Sequence, residues 1–228
     1  ADEQKQRHLP RVAGGEVSAF LLTEPDVGSD PAGLACEATP VDGGYLLNGV
    51  KLWGTNGTVA TLLVVMARVP TGEGRRGGVT AFVVEADSPG ITVENRNSFL
   101  GLRGIENSVT RFHDVFVPVE NMLGGEGRGL KIALTTLNTG RLSLPAICVA
   151  TSKWATNVAR RWSAERVQWG RPVAEHEAIA IKLAFMAATT YGLDSMVELC
   201  CLLADDDAND SRIEAALLKL YASEMAWK

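Results

Sequence analysis

The spacing of apolar residues changes once along this chain, near residue 122, and that change limits the fold to two kinds of layer in series. From Ser18 to about Met122 short apolar runs rich in Val and Thr are separated by Gly-containing turns. The runs 19–23, 45–53, 60–69, 77–86, 91–96 and 108–118 are predicted strands. Val41–Gly44, Asn48-Gly49 and Asn56-Gly57 are turn signals, and the Gly-rich run at 72–78 is a predicted exposed loop. Strands at this spacing with no helix between them predict a compact antiparallel barrel or sandwich.

From about Arg128 the apolar residues recur at helical spacing, with Pro145 as a possible kink. Gly170–Pro172 breaks the pattern. A second helix is predicted from about Glu175 to Leu203. After an acidic turn at 205–210, a third is predicted from Ser211, with Glu214 as the reciprocal half of a capping box. The opening residues 1–15 read as the tail of a helix capped at Gly14-Gly15. The third helix meets no stop signal before Lys228, so both ends read as cut from something larger. The expected organisation is the end of a preceding helical domain at 1–17, a β domain at 18–122 and the first part of a helical domain at 123–228.

Several function classes are disfavoured. A formal net charge of -5 argues against non-specific nucleic-acid binding. The longest apolar run considered, Val59–Ala67, falls short of the roughly 20 residues needed to cross a bilayer and reads as a buried strand, so no transmembrane segment is expected. The charged N-terminal stretch lacks a secretory core. Cys36, Cys148, Cys200 and Cys201 show no CxxC spacing and read as structural thiols in a reducing compartment. His8, His113 and His176 show no metal-ligand spacing, so no metal is expected.

Two segments carry candidate chemistry. Leu22–Asp30 reads as a strand end turning at Glu24-Pro25-Asp26, with Gly28 free to take a conformation closed to other residues. Its amides and the Thr23 and Ser29 hydroxyls can grip an anionic or polar cofactor edge; the same residues also make an ordinary polar turn. In Leu47–Gly57, Trp53 and Thr55 stand two apart and would share one strand face. A Trp beside a hydroxyl offers a flat apolar surface and one hydrogen bond; it also serves as a core aromatic.

Thr-Glu-Pro-x-x-Gly-Ser-Asp followed by Asn-Gly-x-Lys-x-Trp-x-Thr-Asn-Gly resembles the acyl-CoA dehydrogenase family. Further likenesses follow in order: Gly101–Gly104 through Phe112–Pro118, Asn138-Thr139-Gly140-Arg141, Arg166–Gly170, and Ala222–Lys228, which most resembles the very-long-chain branch. The resemblance implies an α+β fold, an antiparallel β-barrel followed by a bundle of long helices. It implies FAD, with Phe20 to Ser29 lining the flavin and its diphosphate. Leu22 and Thr23 would face the pyrimidine edge. Trp53, Gly54 and Thr55 would flank the ring, with the Thr55 hydroxyl near N5. Ser29 would also touch the acyl-CoA, and Asn138 and Arg141 would stand on the substrate side. Arg166 and Gln168 would reach a neighbouring subunit's FAD, an Arg being suited to a diphosphate. His176 and Glu177 match further cofactor contacts in some members, which commonly carry an amide where this chain has Glu177.

The implied reaction removes a proton and a hydride from an acyl-CoA. In most members the proton goes to a carboxylate beyond the position matched by Lys228. In a minority that carboxylate stands where this chain has Gly140, so the catalytic base is unassigned within these residues. The resemblance further implies electron-transferring flavoprotein as acceptor, a homodimer or homotetramer, and a cytoplasmic location or, in a eukaryote, the mitochondrial matrix. The competing readings are a non-catalytic flavin-fold subunit of a hetero-oligomer, and a flavin monooxygenase or oxidase on the same fold.

Overall fold

The computed structural model describes residues 1–72, 74–206 and 209–228, so Glu73 of the Gly-rich loop and Asp207 and Ala208 of the acidic turn lie outside the described residues. The chain divides into two units, 1–134 and 135–228.

The first unit opens with α1 (Asp2–Ala13). Gly14 and Gly15 end it as expected. Gly15 takes φ +98°, its N–H bonds to Val12 O, and the Glu16 N–H reaches back to Arg11 O, which together close a Schellman turn. The strands follow in chain order: β1 (Ser18–Leu21), β2 (Glu37–Val41), β3 (Gly44–Thr55), β4 (Leu62–Val69), β5 (Gly78–Glu85), β6 (Ile91–Arg96), β7 (Asn107–Pro118) and β8 (Met122–Leu123). They form one sheet in the order β6-β7-β3-β2-β4-β5-β8, with β1 also on β4.

This corrects the expected antiparallel barrel in two respects. The sheet is not closed, because its outer strands β6 and β8 do not pair; β6 is exposed along most of its length and β8 has two residues. It is also mixed. Both β1 and β2 run parallel to β4, β1 against Leu62–Val65 and β2 at Arg68. They behave as one interrupted strand: the chain leaves the β4 edge after Leu21 and rejoins it at Glu37. Arg68 ties the returning end, its N–H to Cys36 O at 2.7 Å and its guanidinium to Leu34 O and Ala32 O. Residues 22–36, which carry the first motif, are thus an excursion from a strand. The strand β2 was not predicted; Pro40 and its brevity hide it in the sequence.

Asn48-Gly49 is not a turn. It lies inside β3, where the register against β7 shifts and Gly49 takes φ +149°, since a Cβ there would meet Cys36 Cα at 2.7 Å. Gly43 and Asn56 serve the two other expected turns at positive φ. The core is two clusters, one around Leu21, Leu47, Val65, Phe82, Phe112 and Val115, the other around Leu34, Met66 and Ala81 with Ala133.

The second unit is helical. Helix α2 (Gly129–Glu165) begins in the first unit and continues through Pro145 without a break. A two-strand hairpin follows, β9 (Val167–Gln168) with β10 (Arg171–Pro172), its Trp169 and Gly170 both at positive φ. Then come α3 (Glu177–Ala204) and α4 (Arg212–Trp227). Ser211 is the N-cap of α4, but the expected capping box does not form. The Arg212 N–H bonds instead to the Asp210 carboxylate, which stands one residue earlier and also holds the Arg212 side chain. Cys200 is buried in the helical core, whereas Cys201 is exposed.

Candidate functional site

The excursion at 22–36 is pinned by a buried charge. Pro25 and Asp26 form the tip of a tight turn closed by Glu24 N–H to Val27 O and Val27 N–H to Glu24 O. Gly28 lies beyond this closure and does not use a positive φ, contrary to the sequence expectation; a Cβ there would meet nothing within 4 Å. The Glu24 carboxylate turns inward, 4% exposed. It accepts the Ala35 N–H at 2.7 Å, the Cys36 N–H at 3.0 Å and the Lys51 ammonium at 2.7 Å. Lys51 has no exposed surface and gives a second bond to Leu22 O at 3.1 Å. The Leu52 N–H bonds to Thr23 O at 2.8 Å. The two motifs are therefore fastened together by a buried ion pair and a backbone bond. Burial also pushes the neighbouring Cys36 thiol up to about 11, so it remains protonated.

The second motif is bent at the same place. The register of β3 against β7 shifts again between Lys51 and Gly54, and Trp53 takes φ +59°. A bulky residue at positive φ is strained and needs its surroundings to hold it there. Trp53 is not core: it is 53% exposed, with its ring 5.9 Å from that of Phe99 at 31°. Gly54 is buried, and a Cβ there would sit 2.5 Å from Leu21 Cδ2. Thr55 is exposed, and its Oγ1 accepts the Asn107 side-chain amide at 3.3 Å. Trp53 and Thr55 both come to the surface beside an open groove of about 480 Å³ lined by Thr55, Phe99, Leu100, Leu102 and Asn107. Phe20 and Thr23 are half-buried, Leu22 is buried and Ser29 is exposed.

In the second unit, Asn138 and Arg141 stand one turn apart on α2, both half-buried, with the Asn138 Oδ1 buried and without a hydrogen-bond partner among the described residues. Gly140 is exposed. Arg166 follows the end of α2 and Gln168 lies on β9, both exposed. His176 ties this hairpin together, its Nε2 3.1 Å from Gln168 O, its Nδ1 3.4 Å from Arg171 and its ring edge-on to Trp169. Glu177 opens α3 and is exposed.

Residues 19–115 match the model of the acyl-CoA dehydrogenase middle domain, and residues 127–228 match that of the acyl-CoA dehydrogenase C-terminal domain. The chain belongs to the acyl-CoA dehydrogenase family. A probable acyl-CoA dehydrogenase of Mycobacterium tuberculosis, FadE10, is 68% identical over 98% of this chain and 35% of its own length. The mitochondrial very long-chain specific acyl-CoA dehydrogenase of Bos taurus is 38% identical over 99% of this chain and 35% of its own. This chain thus spans about a third of those relatives. Among solved structures, butyryl-CoA dehydrogenase from Megasphaera elsdenii superposes with TM-score 0.89 at 35% identity, covering 99% of this chain and 59% of that one. PigA with FAD and proline superposes with TM-score 0.92 at 28% identity and the same coverage.

Glu24 and Lys51 stand inside the two motifs that carry the family likeness, yet the sequence reading gave them no role. The signal was present, a Glu and a Lys at fixed places in two segments otherwise read as ligand-binding. Asn107 and its neighbours Asn95 and Asn97 left no such signal.

Proposed function

We propose that the protein to which these residues belong is an FAD-dependent acyl-CoA dehydrogenase, and that the first unit supplies one wall of its flavin site. The observation that carries this reading is the exposed Trp53–Thr55 wall, bent out of β3 at a strained bulge and fastened to the 22–24 segment by Lys51. The residues suit a flavin. Trp53 offers a flat apolar face, Thr23, Ser29 and Thr55 offer hydroxyls, and Gly28 leaves open space beside the turn. Bound there, the flavin supplies acceptance of a hydride from the acyl β-carbon.

The chain's own residues do the rest. Lys51 holds the Leu22 carbonyl, and the Leu52 N–H holds that of Thr23, so this edge needs no rearrangement when negative charge develops beside it. Phe20, Leu22, Thr23, Gly28, Ser29, Trp53, Gly54 and Thr55 form the flavin wall in this reading. Ser29, Asn138 and Arg141 contact the acyl-CoA, and Arg166 and Gln168 contact the FAD of a second copy.

The α-proton needs a carboxylate base. Gly140, at one of the family's two base positions, has no side chain to offer. Asp114 accepts the Asn48 amide, and Glu126 accepts the Tyr45 hydroxyl at 2.7 Å. We therefore place the base outside residues 1–228. The partners in this reading are electron-transferring flavoprotein and further copies of the chain, and the location is cytoplasmic or, in a eukaryote, the mitochondrial matrix. One described helix, Gly129–Glu165, is long and apolar enough to cross a membrane by length and composition, and we read it as a bundle helix.

The fold likeness to the prolyl acyl carrier protein oxidase AnaB, with TM-score 0.91, favours a second reading, an oxidase acting on a different substrate. Identity weighs against it, 29% there and 68% to the mycobacterial relative. The test is to express residues 1–228 and the full-length protein to which they belong, measure bound FAD, and assay both with acyl-CoA and an artificial electron acceptor. The expected result is turnover by the full-length protein and none by residues 1–228. Turnover by both would overturn the placement of the base, and a flavin-free full-length protein would overturn the function.

A further inference from the structure

Thr55 is the end of a line of amides. It lies directly opposite Asn107 in the β3–β7 register, so the two side chains share a face. The Asn95 Nδ2 donates to Asn97 Oδ1 at 3.0 Å, the Asn97 Nδ2 donates to Asn107 Oδ1 at 2.7 Å, and the Asn107 Nδ2 donates to Thr55 Oγ1 at 3.3 Å. Asn97 and Asn107 are 7% and 3% exposed, and the Asn97 N–H to Asn107 O bond at 2.9 Å holds their backbones in step. Every donor in the line points toward Thr55. Amides bonded in one direction polarise one another and resist reversal of any single member.

The consequence for Thr55 is specific. A hydroxyl has one hydrogen, and its rotor turns to suit its neighbours. With the Asn107 amide on its oxygen, that hydrogen is directed away from Asn107 and is free to meet a group in the groove that Thr55 lines. We propose that Asn107 is a positioning residue that keeps the Thr55 hydroxyl a hydrogen-bond donor toward whatever lies on the Trp53 wall. This rests on the flavin reading above, in which the Thr55 hydroxyl stands near N5, the ring nitrogen that accepts the hydride, and a donor there makes that nitrogen more electrophilic. The competing arrangement is the same line reversed, with Thr55 donating to Asn107.

The substitution that separates the two is Asn107→Asp. A carboxylate still accepts from Asn97 but cannot donate to Thr55, so the hydroxyl turns inward and its hydrogen is lost to the groove. The experiment uses the flavin-loaded full-length protein, with Asn107→Asp, Thr55→Val and the double variant. Flavin reduction by acyl-CoA is followed without oxygen in a single turnover, and the visible spectrum of the bound oxidised flavin is recorded for each. Thr55→Val is expected to slow reduction about 100-fold, the cost of one preorganised donor. Asn107→Asp is expected to slow it at least about tenfold through the same donor, and to shift the flavin spectrum in the same direction as Thr55→Val. In the Thr55→Val background it should add nothing to either readout.

Reduction as fast as in the parent protein would overturn the proposal, as the reversed line predicts. Equal slowing in both backgrounds would also overturn it, because the new charge would then act without Thr55. If Thr55→Val itself changes neither readout in a flavin-loaded protein, the flavin-wall reading fails first and this inference falls with it. Should Asn107→Asp not fold, Asn107→Leu replaces it, with a smaller slowing expected that is again confined to the Thr55 background.

Discussion

The two units bury themselves differently. The first closes most of its apolar surface within its own sheet: Leu21, Leu47, Val65, Phe82, Phe112 and Val115 are sealed, and even a lysine has no exposed surface. The second seals little beyond Val149, Leu193, Cys200, Leu218 and Ala222, while Trp154, Trp162, Ile181, Tyr191, Leu202, Ile213 and Leu217 stand mostly outside. A sheet face packs against itself once it is bent, whereas a helix with apolar residues around most of its circumference needs neighbours on more than one side. The candidate residues follow the same division. Leu22, Thr23 and Thr55 of the first unit are held by hydrogen bonds from Lys51, Leu52 and Asn107, and the candidates of the second stand on helix surfaces and an exposed hairpin.

The largest expected effect tests that contrast. Residues 1–134 expressed alone should melt in one cooperative transition. Residues 135–228 alone should show helical circular dichroism, no cooperative melt and strong binding of an apolar dye. A cooperative melt of the helical span would break the comparison.

Next is the buried ion pair. Lys51→Met leaves the Glu24 charge sealed without its cation and should cost about 3–5 kcal/mol in denaturant unfolding. Adding Glu24→Leu should recover much of that loss, because the unpaired charge is then gone. A cost for Lys51→Met near that of an ordinary surface change would mean that the motifs are not held together by this pair.

How much of this could be read in the sequence differs by unit as well. The change of period near residue 122, the strand runs and the three long helices were legible, because each rests on local spacing. Closure of the sheet was not, since it depends on whether β6 and β8 meet, and no local pattern encodes that. The parallel placement of β2 was hidden for a related reason: a strand interrupted by the 22–36 excursion looks like two unrelated pieces. Asn48-Gly49 carries a turn signal yet forms a bulge, because tight packing on Cys36 and a turn both call for glycine. At the candidate site the motif residues Trp53 and Thr55 were legible, but Asn107, which meets Thr55 from β7, and Asn95 and Asn97 behind it stand about 40 to 50 positions away in the sequence.

A smaller effect is expected at Gly54. Gly54→Ala puts a methyl group against the sealed Leu21 side chain and should cost about 1–3 kcal/mol, read again as a shift in unfolding midpoint. It sharpens the comparison, since Gly140→Ala on the exposed α2 surface should be neutral or slightly stabilising.

The smallest effect concerns pH. His8 stands on the buried face of α1 with neither ring nitrogen hydrogen-bonded among the described residues, and burial, followed by the charges of Arg7 and Arg11, holds its pKa below the usual 6.5. The unfolded chain therefore takes up the proton first. Stability from the neutral ring is fully present above about pH 6.5 and declines as pH falls through that value toward the lower folded one. Thermal melts from pH 8 to 5 should show a gentle acid decline in the first unit that His8→Leu flattens. An unchanged decline would assign it to other groups.

On the flavin reading the first unit presents a preformed wall at Trp53 and Thr55. A crystal structure of the full-length protein with FAD bound tests this. The flavin ring is expected against the Trp53 face, with the Thr55 hydroxyl within hydrogen-bond reach of a ring nitrogen and the Glu24–Lys51 pair unchanged. A flavin ring bound elsewhere, with Trp53 and Thr55 still facing solvent, would contradict it.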